Sequence, residues 1–209
     1  MESNLPPVSD TRGQKMSLTL KIHEELGHEF ALLGMSRSYY DEADDDFTWW
    51  QNQKPKAYKR AKLLCVKTPE HAKFLRAITV NMTVKATRAF WQEYATYKVG
   101  SVELSASTMH KLDKREPTVE DFSSNTPMTM IVAFQYAWKD YKAGNLTLIQ
   151  LKDALPEGYL QTRDITTNYA TLRNIISQRK DHRYLYWRDF VEQLMDQIQH
   201  PELLEDLLC

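Results

Sequence analysis

Arg179 is a cation placed where the surrounding pattern calls for a core residue, within the stretch KDALPEGYLQTRDITTNYATLRNIISQR (152–179), in which Lys152 lies just before Leu155-Pro156. A helix starting at Tyr169 turns about 100° per residue. With Leu172 at the origin, Ile175, Ile176 and Arg179 fall at about 300°, 40° and 340°, so the arginine stands in the middle of an apolar stripe. Asn168, just before the helix, projects to the same side. Such a stripe faces the core. A guanidinium cannot discard its charge there, so it needs an anion or a polarised carbonyl. A structural ion pair or an outward-reaching side chain meets that need as well as a ligand does. The chemistry on offer is electrostatic: a fixed cation that an anion or a polarised carbonyl must face.

The elements that position these residues are readable around them. Leu155-Pro156 ends one element and Gly158 allows a turn. Tyr159–Thr167 has the Tyr, Ile and Thr content of a strand, and Thr166-Thr167-Asn168 supplies a helix cap.

The order of Lys152, Pro156, a strand, Asn168, Thr171, Leu172, Asn174 and Arg179 resembles, without a gap, the C-terminal half of the flavin-dependent thymidylate synthases. The upstream signature of that family runs Gln-x-x-Arg-His-Arg, then Ser-x-Asn-Glu-x-Ser-x-Arg. Gln92, Glu103 and Ser105 match it. Ala95-Thr96-Tyr97 stand at the basic triplet, Gly100 at the first Ser, Val102 at the Asn and Ser107 at the last Arg. A shift of one pairs Lys98 with the final triplet Arg and Ser101 with the first Ser, at the cost of the Glu register. The resemblance covers about residues 75–190.

The resemblance implies a fold and a reaction. It implies an α+β protein, an antiparallel or mixed sheet flanked by helices. It also implies methylation of deoxyuridylate with methylenetetrahydrofolate as carbon donor and reduced FAD as hydride donor. Gln92, Glu103, Ser105, Lys152 and Arg179 would serve the pyrimidine deoxynucleotide, with Arg179 the catalytic cation near the ring carbonyl. Lys152 and Ser105 would hold the phosphate, and Glu103 and Gln92 the sugar or base. Asn168, Asn174 and Lys98 would lie on the flavin side. The basic triplet and an arginine at the position of Ala170, which in the family serve mainly the flavin, are absent. Two alternatives therefore stand beside the first reading: a flavin-free hydroxymethyl transferase, and a non-catalytic nucleotide or partner binder. A homotetramer with sites between subunits is likewise implied by resemblance.

Bulk properties set outer bounds. The chain has 209 residues, a formal net charge of −1 and a pI near 6.6, so no global field recruits nucleic acid. No apolar run approaches the roughly 20 residues of a membrane span. With only Cys65 and Cys209, a reducing compartment is expected and a disulfide framework is not; the expected location is the cytoplasm.

Along the chain we read a frayed segment 1–14, a single domain over 15–200 and a tail at 201–209. Ser17–Ile22 reads as a strand and His23–Tyr40 as a helix. Residues 41–62, acidic then basic, read as a charged surface insertion anchored by Trp49 and Trp50. Leu63–Val66 reads as a short strand holding Cys65 as inert core. A helix opens at Thr68-Pro69 and runs to about Arg76. Ile78, Val80, Met82 and Val84 alternate as a half-buried strand, and Thr87 caps a helix. A Ser-rich loop spans 100–109. Helices follow from Pro127 to about Ala143, at 147–154 and at 184–199.

No metal site is expected. His23 and His28 are five residues apart, about 140° around a helix, and cannot share an ion there. The acidic run 41–46 lacks calcium-loop spacing. His110 behind Ser105 and Ser107 lacks the third group a serine nucleophile requires.

Overall fold

A computed structural model describes residues 18–39, 47–67, 70–108 and 111–204. Four strands, β1 (Thr19–Leu26), β2 (Thr79–Thr87), β3 (Val102–Ser105) and β4 (Leu160–Asn168), form one antiparallel sheet in the order β1-β2-β4-β3. The helices are α1 (His28–Ser36), α2 (Phe47–Cys65), α3 (Arg88–Tyr94), α4 (Met128–Lys142), α5 (Leu148–Asp153), α6 (Tyr169–Arg179) and α7 (Leu185–Met195). This is the expected α+β class, with an antiparallel sheet.

The period-two pattern of β2 decides which way the sheet faces. Val80, Met82, Val84 and Ala86 are buried against α3, α6 and α7, whereas Thr79, Asn81, Thr83 and Lys85 lie on the other face. That second face is polar. Thr83 donates to Asp164 (2.6 Å), and Thr166 donates to Asn81 (2.8 Å). β1 is an edge strand, and its open edge is closed by side chains of the C-terminal helix region. Gln193 accepts from the Leu20 N–H and donates to the Leu18 carbonyl; Gln197 does the same for Ile22 and Leu20. Amides four residues apart thus imitate a neighbouring strand and blunt the edge.

A second apolar cluster lies away from the sheet's main core. Leu112, Phe122, Ile131, Phe134, Leu151 and Leu155 join α4, α5 and the 112–122 segment. Thr147 caps α5 with a reciprocal Gln150 contact.

Several expectations are corrected. His23 lies on β1, where it bonds Thr83, and the helix begins only at His28. The chain turns between them at Gly27, whose φ of 87° and the 2.4 Å from a built Cβ to the Ala77 carbonyl oxygen admit only glycine. The described part of the 41–62 insertion is not a surface excursion: it belongs to the 19-residue α2, whose Trp50, Ala57, Ala61 and Cys65 are buried. Leu63–Val66 is the end of that helix and its turn, not a strand. The Ser-rich loop contains β3. Pro201–Leu203 forms a short 3-10 turn, with Leu203 and Leu204 buried rather than trailing. Residues 1–14 and 41–46, the Trp49 side chain, Thr68-Pro69, His110 and Cys209 lie outside the described residues. Among the described residues no group of three or more metal-ligating side chains converges, and no helix is long and apolar enough to cross a membrane.

A buried acid ties β1 to α6 and the C-terminal segment. Glu25, its side chain 1% exposed, accepts hydrogen bonds from His28, Tyr169 and the Gln199 N–H. Burial pulls its carboxyl upward, but those bonds outweigh it and hold the group below its ordinary value of 4.5. A carboxyl depressed by folding stabilises the protein fully above the unfolded value, and this contribution is lost as pH falls through the folded one. Urea midpoints should therefore decline for the wild type between about pH 5 and 3, and Glu25→Gln should flatten that decline. Equal slopes for the two proteins would show that the network contributes nothing to acid stability.

Candidate functional site

α6 begins where β4 ends, because the Asn168 side chain accepts from the Thr171 N–H. Its other amide atom donates to the Gly100 carbonyl at 3.2 Å. Asn168, an expected flavin-side residue, is thereby engaged in joining α6 to the 98–101 turn. At the far end of α6, Arg179 points inward as its wheel position requires. Its Nε donates to the Tyr97 hydroxyl (2.8 Å) and one Nη to Glu93 (3.1 Å), and His182 approaches the same nitrogen. The guanidinium lies 4.7 Å from the Trp187 ring centroid, and the Trp187 indole N–H donates to the same Glu93 oxygen (2.7 Å). The expected inward cation is present, yet the expected vacancy for a ligand's negative charge is not: Glu93 already faces it. Tyr97, at the last position of the missing basic triplet, is buried and is part of this clasp.

The signature segment runs through α3 and β3. Gln92 is exposed and donates to Glu157, and Glu103 is paired with Arg163 across β3 and β4. Ser105 ends β3 as an exposed residue, and Lys98 is exposed after the 3-10 turn Ala95–Tyr97. Lys152 is exposed in the last turn of α5. The fold thus does not bring Gln92, Glu103, Ser105, Lys152 and Arg179 around one cavity within a single chain.

Among the cavities of nucleotide size, two that lie at opposite ends of the sheet carry cations unpaired among the described residues. The first, about 500 Å³, opens where β2 finishes and β4 begins. Lys85, Ser107, Thr108, Lys111, Lys114 and Tyr159 line it, together with the Arg115–Asp121 pair. Burial opposes the ionised Asp121, yet bonds from Arg115 and Thr118 hold its carboxyl below the usual range, so that charge is neutralised locally. Burial also pushes the Tyr159 phenol up, leaving a neutral O–H donor. The side chains of Lys85, Lys111 and Lys114 have no partner among the described residues. Ser107, at the signature's final position, reaches this cavity two residues past Ser105.

The second cavity, about 430 Å³, lies at the other end, between the end of α2, the Leu75-Arg76 segment and α6. Asn174, an expected flavin-side residue, lines it. Sequence reasoning missed Lys85 and Lys111 at the first cavity and Lys67, Arg76 and Arg173 at the second. Lys85 carried a usable signal, since it stands out of phase with the apolar alternation of β2; the others sit outside the quoted motifs.

No protein-family model and no curated protein matches the sequence. Among solved structures, the fold is similar to thymidylate synthase X (ThyX) from Helicobacter pylori with FAD and dUMP. The TM-score is 0.73 at 17% identity, covering 91% of this chain and 99% of that one. A second structure of the flavin-dependent thymidylate synthase ThyX from the same organism, also complexed with FAD and dUMP, gives 0.72 at 16% identity, covering 90% and 98%. At these identities the likeness shows a ThyX-like fold.

Proposed function

We propose that the chain is a thymidylate-synthase-like enzyme that binds deoxyuridylate in the cavity beside Ser107 and transfers to it a one-carbon unit from methylenetetrahydrofolate. The observation that carries this reading is the cavity itself, which follows the matched Glu103 and Ser105 in the chain and is lined by three lysines whose side chains have no partner among the described residues. Similar folds solved with dUMP support it. In this reading Lys85 and Lys111 face the phosphate as point charges, Ser107 and Thr108 donate hydroxyl hydrogen bonds, and the neutral Tyr159 orients the sugar or base.

The flavin group needs a fit on this chain's own residues. Ala95 and Thr96 are exposed and uncharged, and Tyr97 is occupied by Arg179, so the family's clamp positions do not hold an anionic cofactor here. Asn174 and the cations at the second cavity offer a different set of contacts. A bound flavin would supply the hydride that turns a methylene into a methyl. The two cavities are separated by the length of β4, about 25 Å at 3.3 Å per residue. Chemistry that joins their contents therefore takes a second copy of the chain, in keeping with the homo-oligomer that the resemblance implies. Arg179 and Lys152 would join the site only from such a neighbour, and Arg179 only by leaving Glu93.

A flavin-free hydroxymethyl transferase is the second reading, favoured by the conversion of the triplet position Tyr97 into buried packing. The test is calorimetric titration with deoxyuridylate and with deoxyuridine, followed by turnover with methylenetetrahydrofolate with and without flavin and reductant. We expect deoxyuridylate to bind and deoxyuridine to bind at least about 10-fold more weakly, through loss of the charge-assisted phosphate contacts. Thymidylate formed only with flavin and reductant supports the first reading, and hydroxymethyl product without them the second. Absence of deoxyuridylate binding overturns both.

A further inference from the structure

The cavity beside Ser107 gathers more positive charge than one phosphate neutralises. Lys85, Lys111, Lys114 and Arg115 line it, against a single carboxylate, Asp121. Arg115 and Asp121 cancel, because two guanidinium nitrogens donate to the two carboxylate oxygens. The three ammonium groups remain, without partners among the described residues.

The structure beneath Lys111 and Lys114 fixes where they stand. They lie three residues apart on a turn in which the Lys111 and Leu112 N–H groups donate to the Thr108 carbonyl, and the Lys114 N–H to the Lys111 carbonyl. Leu112, between them, is buried in the second apolar cluster, and its carbonyl accepts from the Trp138 indole at 2.8 Å. Lys142 donates to the neighbouring Asp113 carbonyl at 3.0 Å. The Asp113 side chain does not line the cavity, so the turn brings two cations to it and no acid. Lys85 reaches the same space from β2, opposite Thr162 on β4.

Charge and chemistry then set the length of the phosphate chain. Like charges around a partly enclosed space repel, and a ligand of matching negative charge relieves that repulsion. A monophosphate carries about −1.5 to −2 at neutral pH, which Lys85 and Lys111 already answer. Lys114 has no task toward it. A guanidinium fork grips one phosphate, whereas separate ammonium groups from two segments suit a row of phosphates. The cavity of about 500 Å³ is of a size that encloses a nucleotide with such a row. We propose, on the nucleotide reading of this cavity, that it selects a deoxyuridine polyphosphate over deoxyuridylate, with Lys114 meeting the phosphates beyond the first. The similar folds were solved with dUMP, so the longer phosphate chain sets this chain apart from them.

The test is calorimetric titration of the intact protein with deoxyuridine mono-, di- and triphosphate and with inorganic tripolyphosphate. A chelator keeps divalent cations from masking the phosphates. The triphosphate should bind at least about 10-fold more tightly than the monophosphate, with a steeper loss of affinity as salt rises. Tripolyphosphate, which lacks the nucleoside, should bind more weakly than the triphosphate nucleotide. Lys114→Ala, at an exposed position, should lower the ratio of triphosphate to monophosphate affinity about 10-fold, and a thermal melt establishes that the variant is folded. Monophosphate binding with no gain from added phosphates overturns the inference and leaves the proposed substrate site standing. No binding of any of the three nucleotides overturns both. Tripolyphosphate binding as tightly as the triphosphate nucleotide, or an unchanged ratio in a folded Lys114→Ala, also overturns the inference.

Discussion

Lys85→Glu is expected to weaken deoxyuridylate binding about 100-fold, the equivalent of about 2.7 kcal/mol. Lys85 stands on the polar face of β2 opposite Thr162, at the mouth of the cavity that Ser107 and Thr108 close. Its ammonium has no internal partner among the described residues, so a phosphate is not competing with a carboxylate for it. Removing such a charge-assisted contact costs about 1.5–3 kcal/mol, and the introduced carboxylate adds repulsion toward the same phosphate. The variant should fold normally, because the side chain is only half-buried and leaves no cavity. Calorimetric titration reads the loss directly, and a melting curve provides the control. Unchanged affinity would remove the phosphate from this cavity and with it the proposed substrate pose.

Glu93→Ala should lower stability by about 2–3 kcal/mol, a fall of roughly 5–10 °C in melting temperature. Glu93 accepts from both Arg179 and Trp187, so its loss strands a guanidinium and a buried indole N–H together. Removing one partner of an enclosed pair costs more than the pair contributes, because the remaining group stays desolvated. The figure is kept below that of a fully buried pair because the carboxylate side chain is 38% exposed and the guanidinium 17%. Arg179→Ala should destabilise as well while leaving deoxyuridylate binding by the single chain unaltered. The opposite pattern, a normal melt with binding abolished, would make Arg179 a ligand residue and the Glu93 contact incidental. A double-mutant cycle between Glu93 and Arg179 measures the coupling itself.

Legibility in the sequence followed the range of the physics involved. β2 was readable because its alternation is strict, α3 because Thr87 caps it, and α6 because Asn168 precedes an apolar stripe of helical period. α2 was misread because its core face is built largely from Ala57 and Ala61, whose small side chains carry little hydrophobic signal beside Lys54, Lys56, Lys59, Arg60 and Lys62. Burial of that face is decided by its packing on α1, not by its composition. β3 was hidden for a similar reason. Its four residues are mostly exposed and exist as a strand only because β4 offers hydrogen bonds.

The candidate sites divide along the same line. That Arg179 lies on the inward stripe, that the triplet positions are uncharged and that the chain is α+β followed from residue order alone, because helix period, caps and alternation are local properties. Which anion meets Arg179 was decided by the tertiary structure, since Glu93 lies 86 residues away and its position depends on how α3 packs against α6 and α7. The same holds for the cations without internal partners. Whether a lysine or arginine is neutralised depends on distances of a few ångströms between segments remote along the chain, and only the folded molecule establishes those distances.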